Sequence, residues 1–217
     1  CMYIAIEGVI GVGKTTLARL LQPAFNAEIL LEVFEENPFL SDFYGDRERY
    51  AFQTQMFFLL SRYHQQNRSI PEFLKKNENL LSDYTFAKDG LFARINLVGD
   101  ELDMYERVHE ALAEKIRHPD LLVFLRAKTQ TLMERIAMRD RPYERDMDSA
   151  YIAALGETYA EFFSRPYNNT PVLTIDADDL DFVRNPEDLE FIKAKIEEAS
   201  KATPLQPKLI NNNYIKR

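Results

Sequence analysis

Residues 6–21 read IEGVIGVGKTTLARLL. Three of the chain's seven glycines, Gly8, Gly11 and Gly13, fall within six positions of one another and lead directly to Lys14, Thr15 and Thr16. The apolar run MYIAI (2–6) precedes them, and a helical pattern of apolar residues follows. Gly8-x-x-x-x-Gly13-Lys14-Thr15 between a strand and a helix is the P-loop pattern in its required context. Glycines let the backbone turn so tightly that successive N–H groups point into one concavity. The helix N-terminus adds its partial positive charge to the same place. In such a loop Lys14 reaches the outer phosphates and the Thr15 hydroxyl ligates Mg²⁺. Gly8, Gly11, Gly13, Lys14, Thr15 and Thr16 are therefore the candidate segment for holding ATP. Ordinary residue frequencies produce this pattern by chance in fewer than about one in a hundred chains of this length. The loop says nothing about what receives the phosphate.

Outward from the loop, short apolar runs recur at 28–31 (EILL), 79–82 (NLLS), 121–125 (LLVFL) and 171–175 (PVLTI). Their near-continuous apolar character suits buried parallel strands covered on both faces. Helical patterns separate them at 14–25, 50–76, 86–116, 129–139, 148–163 and 186–200. The alternation predicts an α/β fold with roughly five parallel strands and helices on both faces. One domain over 1–200 and a loose C-terminal extension over 201–217 are expected. A net charge of −8 argues against a nucleic-acid surface. The longest apolar run, MFFLL at 56–60, is too short to span a bilayer, so no membrane contact is expected. A single cysteine permits no intrachain disulfide and fits a cytoplasmic location.

Candidate acceptor-side residues follow the strands. Glu32 stands at the carboxyl end of the second, where ligands of open α/β sheets bind. A carboxylate there is suited to take the proton of an attacking hydroxyl, or to cap a helix. Asp83, ending the third strand, suits either an Mg²⁺ shell or a turn. Gln55 and Arg62 lie seven apart on one face of a helix. An amide offers a donor and an acceptor to a nucleobase edge, although spacing alone favours a surface amide. In LMERIAMRDRPYER (132–145), Arg135 and Arg139 share a helix face and Arg141 follows in a loop. Guanidinium groups match phosphate oxygens in fork geometry, and a P-loop is already present to supply the phosphates.

Taken together, these pieces resemble the deoxyribonucleoside kinase family over residues 2–199. IEGVIGVGKTT looks like its phosphate loop, and Glu32 falls where the family places a catalytic base. Tyr44 and Gln55, eleven apart, are similar to a sugar-binding tyrosine and a base-binding glutamine. ERIAMRDRPYE resembles the arginine-rich lid, and PVLTIDADDLDF (171–182) resembles the loop that contacts the donor adenine, which includes Asp176. By that resemblance the fold is a P-loop kinase with a lid. ATP and Mg²⁺ serve it, and the chain pairs as a homodimer through helices. Glu32, Lys14, Arg135, Arg139 and Arg141 would be catalytic, and Thr15 and Asp83 would hold the metal. Tyr44, Gln55, Arg62, Asp89 and Glu144 would bind the nucleoside, with Glu144 joining Tyr44 at the sugar 3′-hydroxyl.

One departure stands out. The family's Asp/Glu-Arg-Ser after the third strand is replaced by Ser82-Asp83-Tyr84, so the signature arginine is missing. Aligning Asp83 with the leading acid puts Asp89 on the base-sensing aspartate and requires a one-residue deletion before LFA (91–93). An ungapped match would instead put Lys88 on that aspartate. The reading implied is a kinase acting on the 5′-hydroxyl of a deoxynucleoside, purines slightly favoured. A thymidylate-kinase-type monophosphate kinase and a catalytically silent nucleotide-binding subunit are the alternatives.

Overall fold

The apolar run before the glycines forms β1 (Tyr3–Glu7), and every one of its residues is buried. In the computed structural model it is the central strand of a five-stranded sheet that also contains β2 (Ala27–Leu30), β3 (Asn79–Ser82), β4 (Leu121–Arg126) and β5 (Val172–Asp176). The order is β2-β3-β1-β4-β5 and every pairing is parallel. The structure describes residues 1–34, 36–76 and 78–203. Most of the expected C-terminal extension, 204–217, lies outside these.

Side chains of β1 alternate between two clusters, as the two-residue period of a strand requires. Ile4 and Ile6 join the main core, while Tyr3 and Ala5 pack with Leu30, Ile70, Leu80 and Tyr84. Helix α1 (Lys14–Phe25) starts at the last glycine of the loop and buries Leu17, Ala18 and Leu21. The expected helix at 50–76 is α3 (Arg47–Lys75), begun three residues earlier because the Asp46 side chain accepts from Arg49 N–H at 3.2 Å. At 29 residues it is about 44 Å long. Its buried stripe runs Ala51, Thr54, Gln55, Leu59, Arg62, Gln66, Ile70, so three large polar side chains lie on an otherwise apolar face.

Two expectations are corrected. The helix expected over 86–116 is two, α4 (Ala87–Asn96) and α5 (Gly99–Ala113). Leu97 and Val98 are extended between them, Gly99 has φ of 57°, and Asn96 Nδ2 donates to Phe92 O and to the Tyr151 hydroxyl. Burial of Leu97 and these bonds outweigh the helical periodicity, which does not register a bend. Residues 40–45, given no element from the sequence, form α2 (Leu40–Gly45), which positions Tyr44. The remaining helices, α6 (Thr129–Arg139), α7 (Ser149–Phe162) and α8 (Pro186–Ala202), fall where the periodicity placed them. α8 takes in Lys201 and Ala202, the first two residues of the expected extension.

The glycine loop leaves β1 at the strand-order reversal, where β3 lies to one side and β4 to the other. Gly8 has φ of 152°, and a Cβ there would stand 2.5 Å from the carbonyl oxygen of Leu125 in β4. Because the obstacle is backbone, no side-chain rotation relieves it. Gly8→Ala is therefore expected to lower the unfolding free energy by about 3 kcal/mol, from strain plus overpacking. A urea midpoint that falls at unchanged slope is the expected reading, and an unmoved midpoint would contradict it.

Candidate active site

Two strand ends and the start of a helix meet at Asp83. Its Oδ2 accepts from the Thr15 hydroxyl at 2.5 Å and its Oδ1 accepts from Glu32 N–H at 2.8 Å. One carboxylate thus ties the start of α1, the end of β2 and the end of β3 together. The hydroxyl and carboxylate oxygens are hard donors of the kind Mg²⁺ takes alongside phosphate oxygens. Thr15 and Asp83 therefore fit an Mg²⁺ ion. Among the described residues no group of three or more His, Cys, Asp or Glu side chains forms a metal cage.

Lys14 Nζ donates to Gly8 O at 2.7 Å and Val9 O at 3.2 Å, which lays the side chain along the loop. Burial, and then the nearby Lys88 ammonium, lower its pKa to about 8. Ahead of the loop, Glu7 is fully buried within β1. Its Oε1 accepts from Thr85 N–H at 2.6 Å and from the Thr85 hydroxyl at 2.9 Å, and its Oε2 accepts from Gly8 N–H at 3.2 Å. Glu7 thereby braces the segment after β3 against the phosphate loop. A lone acid inside the run YIAIEG was the available signal for it, and the spacing of motifs passed it over.

Opposite the loop, Glu32 sits between two cations. Its Oε1 accepts from Arg62, at 3.0 Å from Nε, and its Oε2 accepts from Lys88 Nζ at 2.5 Å. Burial alone would raise the Glu32 pKa, but the charges of Arg62 and Lys88 and their hydrogen bonds outweigh it. The carboxyl is held well below the usual range. Arg62 also donates to Asp89 Oδ1, and its guanidinium lies 4.3 Å above the Phe58 ring. Burial pushes the Asp89 carboxyl above its ordinary pKa in spite of Arg62 and His109.

Asp89 Oδ2 and Gln55 Oε1 are buried and have no hydrogen-bond partner among the described residues. An unpaired buried acceptor costs about 1–3 kcal/mol. Gln55 lines the cleft, where a ligand donor can reach it, whereas Asp89 is fully buried behind Arg62. The face of α3 that periodicity marked as a surface amide is therefore interior at Gln55, which is 2% exposed.

The lid folds over the same cleft. A single 3-10 turn, Pro142–Glu144, follows α6. Glu144 accepts from Arg139 Nε at 2.7 Å and Nη2 at 2.5 Å, with Arg141 Nη1 at 3.9 Å. Arg141 stacks over Phe34 at 4.3 Å, and Tyr143 stacks on Tyr44 with ring centroids 6.1 Å apart. Glu144 is near enough to Tyr44 to help raise its hydroxyl pKa, after burial and Tyr151.

Lys14, Thr15, Glu32, Tyr44, Gln55, Arg62, Asp83, Arg139, Arg141 and Glu144 all line this cleft, with Asp89 behind Arg62. Two expected residues point elsewhere. Arg135 donates to the carbonyls of Val12, Ala177 and Leu180, which ties the segment after β5 to the phosphate loop. Asp176 forms a two-bond pair with Arg126 on the surface. Lys88, Phe34, Phe58 and Tyr143 line the cleft without having been assigned a role from the sequence. A larger cavity of about 350 Å³ opens at the amino ends of the strands, between Phe25, Ala27, Leu81 and Lys201. It is apolar and lacks convergent polar groups, so chemistry places the site at the smaller cleft.

A glycine loop and lysine at a parallel-sheet switch point, facing a buried carboxylate under an arginine lid, define a phosphotransferase of the P-loop kinase class. The chain belongs to the deoxynucleoside kinase family, whose description, Deoxynucleoside kinase, matches residues 4–201. It is 36% identical over 199 residues to the deoxyguanosine kinase of Bacillus subtilis (strain 168), covering 90% of this chain and 96% of that protein. It is 32% identical over 216 residues to the deoxyadenosine kinase of Dictyostelium discoideum, covering 97% and 85%. Among solved structures, deoxyadenosine kinase from M. mycoides with bound dATP matches with a TM-score of 0.78 at 27% identity, over 91% of this chain and 100% of that one. The chain is thus a deoxynucleoside kinase, a phosphotransferase acting on a hydroxyl group.

Proposed function

We propose that the protein transfers the γ-phosphoryl group of Mg-ATP to the 5′-hydroxyl of a purine deoxynucleoside. The observation that carries this reading is Glu32, held by Arg62 and Lys88 across the cleft from Lys14 and Thr15. Support for a purine comes from the relatives named deoxyguanosine and deoxyadenosine kinase. Thymidylate-kinase-type chemistry is disfavoured by the family.

In the reaction the 5′-oxygen forms its bond to the γ-phosphorus as the bond to the β–γ bridging oxygen breaks. The electron pair leaves with ADP and the hydroxyl proton passes to Glu32. A carboxyl held so low is a weak base. In a loose phosphoryl-transfer transition state the base chiefly orients the hydroxyl, which suits such a group. Lys14 spreads its charge over the outer phosphates, and Arg139 and Arg141 close from the lid side. Thr15 and Asp83 would hold Mg²⁺, which would supply charge neutralisation on the phosphates. Tyr44 and Glu144 would bind the sugar and Gln55 and Arg62 the base, with Asp89 anchoring Arg62 from behind.

The test is ATP consumption with Mg²⁺ across deoxyadenosine, deoxyguanosine, deoxycytidine, thymidine and their monophosphates. A purine deoxynucleoside is expected to give the highest kcat/KM, by about tenfold or more, since unpaired polar groups reject the wrong base strongly. Turnover on monophosphates alone would overturn the acceptor assignment. ATP binding without any turnover would establish the silent subunit.

A further inference from the structure

The residue after Asp83, where a cation would be sought on the family pattern, is Tyr84. It is fully buried among Tyr3, Leu30 and Ile70, and its hydroxyl donates to Gln65 Oε1. That position therefore faces the core beneath α3 and delivers no charge to the acceptor side. A different residue delivers it. Lys88, in the first turn of α4 and only 7% exposed, brings Nζ to Glu32 Oε2 at 2.5 Å.

We propose that Lys88 is a positioning residue for phosphoryl transfer, holding Glu32 Oε2 towards the acceptor hydroxyl in place of the arginine that this chain lacks. The proposal rests on Glu32 as the acceptor-side carboxylate in the reading above.

The two cations on Glu32 differ in how they are held. Arg62 is anchored at its far side by Asp89, so Oε1 is fixed. Lys88 stands on a four-carbon stem and donates to Oε2, so it sets where that oxygen faces. The base of that stem is rigid. Lys88 N–H donates to Thr85 O at 3.3 Å, and Thr85 is clamped twice by Glu7. Packing places the ammonium 5.6 Å from the centre of the Phe92 ring. Burying a lysine near the loop lysine is costly unless carboxylates or phosphates compensate it. Glu32 compensates it in this structure.

The test uses the whole chain with Lys88→Met and Lys88→Arg, each alone and with Glu32→Gln. Initial rates give kcat and KM for the best deoxynucleoside and for Mg-ATP. Lys88→Met is expected to lower kcat about 100-fold, the size of losing one preorganised donor, with each KM within about threefold. Lys88→Arg is expected to stay within about tenfold of the parent. On the Glu32→Gln background, Lys88→Met is expected to cost less than about threefold more, because residues acting as a unit are not additive.

An active parent whose Lys88→Met variant keeps kcat within about threefold overturns the proposal. So does a full, additive loss on the Glu32→Gln background, which would put Lys88 on the phosphates instead of on Glu32. A general structural role would lower the thermal midpoint of both single variants and leave the arginine without rescue, which also overturns it. If Lys88→Met does not fold, Lys88→Gln takes its place in the same comparison. A parent silent on every deoxynucleoside overturns the reading of function, and the role of Lys88 falls with it.

Discussion

Glu32→Gln is expected to lower kcat about 10²-fold, the low end of general acid–base catalysis for a group that chiefly orients the hydroxyl, while Mg-ATP still binds. Glutamine keeps the shape but cannot take the hydroxyl proton. It also cannot satisfy its neighbours, because Arg62 and Lys88 both present donors. One end of the amide is itself a donor, so whichever way it turns, a cation faces an N–H. Two buried cations then lose their carboxylate, and stability is expected to fall by about 3 kcal/mol as well. Rates must therefore be read below the lowered thermal midpoint, with folded protein verified by circular dichroism. A glutamine variant that keeps near-normal turnover at saturating nucleoside would remove Glu32 from the reaction.

Arg62→Met is expected to act on stability first, by about 3–5 kcal/mol, because one guanidinium serves two buried carboxylates. Methionine retains contact with Phe58 and removes only the charge and the five donors. Glu32 would keep Lys88, whereas Asp89 would keep no hydrogen-bonding cation. The Asp89 pKa is already raised by burial in the parent, and without Arg62 it rises further. A carboxyl whose folded pKa lies above its unfolded value binds more protons in the folded state, so acid favours folding. The stability gap between variant and parent is therefore expected to narrow from pH 8 towards pH 5, in urea melts at each pH. A gap that widens towards acid would contradict this assignment. Nucleoside binding should be lost with Mg-ATP binding retained, since Arg62 touches the acceptor side alone.

Both expectations depend on pairs that sequence separation conceals. Arg62 lies 30 positions from Glu32 and Lys88 lies 56 positions away. Helical spacing put Gln55 and Arg62 on one face but left the environment of that face open, so the amide read as a surface group. Its burial follows from α3 packing across the carboxyl end of the sheet. Arg135 shows the converse. Spacing put it on a face with Arg139, yet its guanidinium is taken by three backbone carbonyls, so one face of α6 splits between holding a loop and holding the lid.

The strands, the phosphate loop and five of the helices were legible because each is a property of contiguous residues. Continuous apolar runs and a 3.6-residue period record burial directly, and a glycine loop between strand and helix is defined by its own backbone. The bend at Leu97 was not legible, since burial of one side chain and a bond from Asn96 to Tyr151, 55 residues on, outweigh a local pattern. The charge balance of the acceptor side was likewise decided by the tertiary structure. Electrostatic energy depends on distance through a low-dielectric interior, and only the folded chain brings Glu7, Glu32, Arg62, Lys88 and Asp89 within reach of one another.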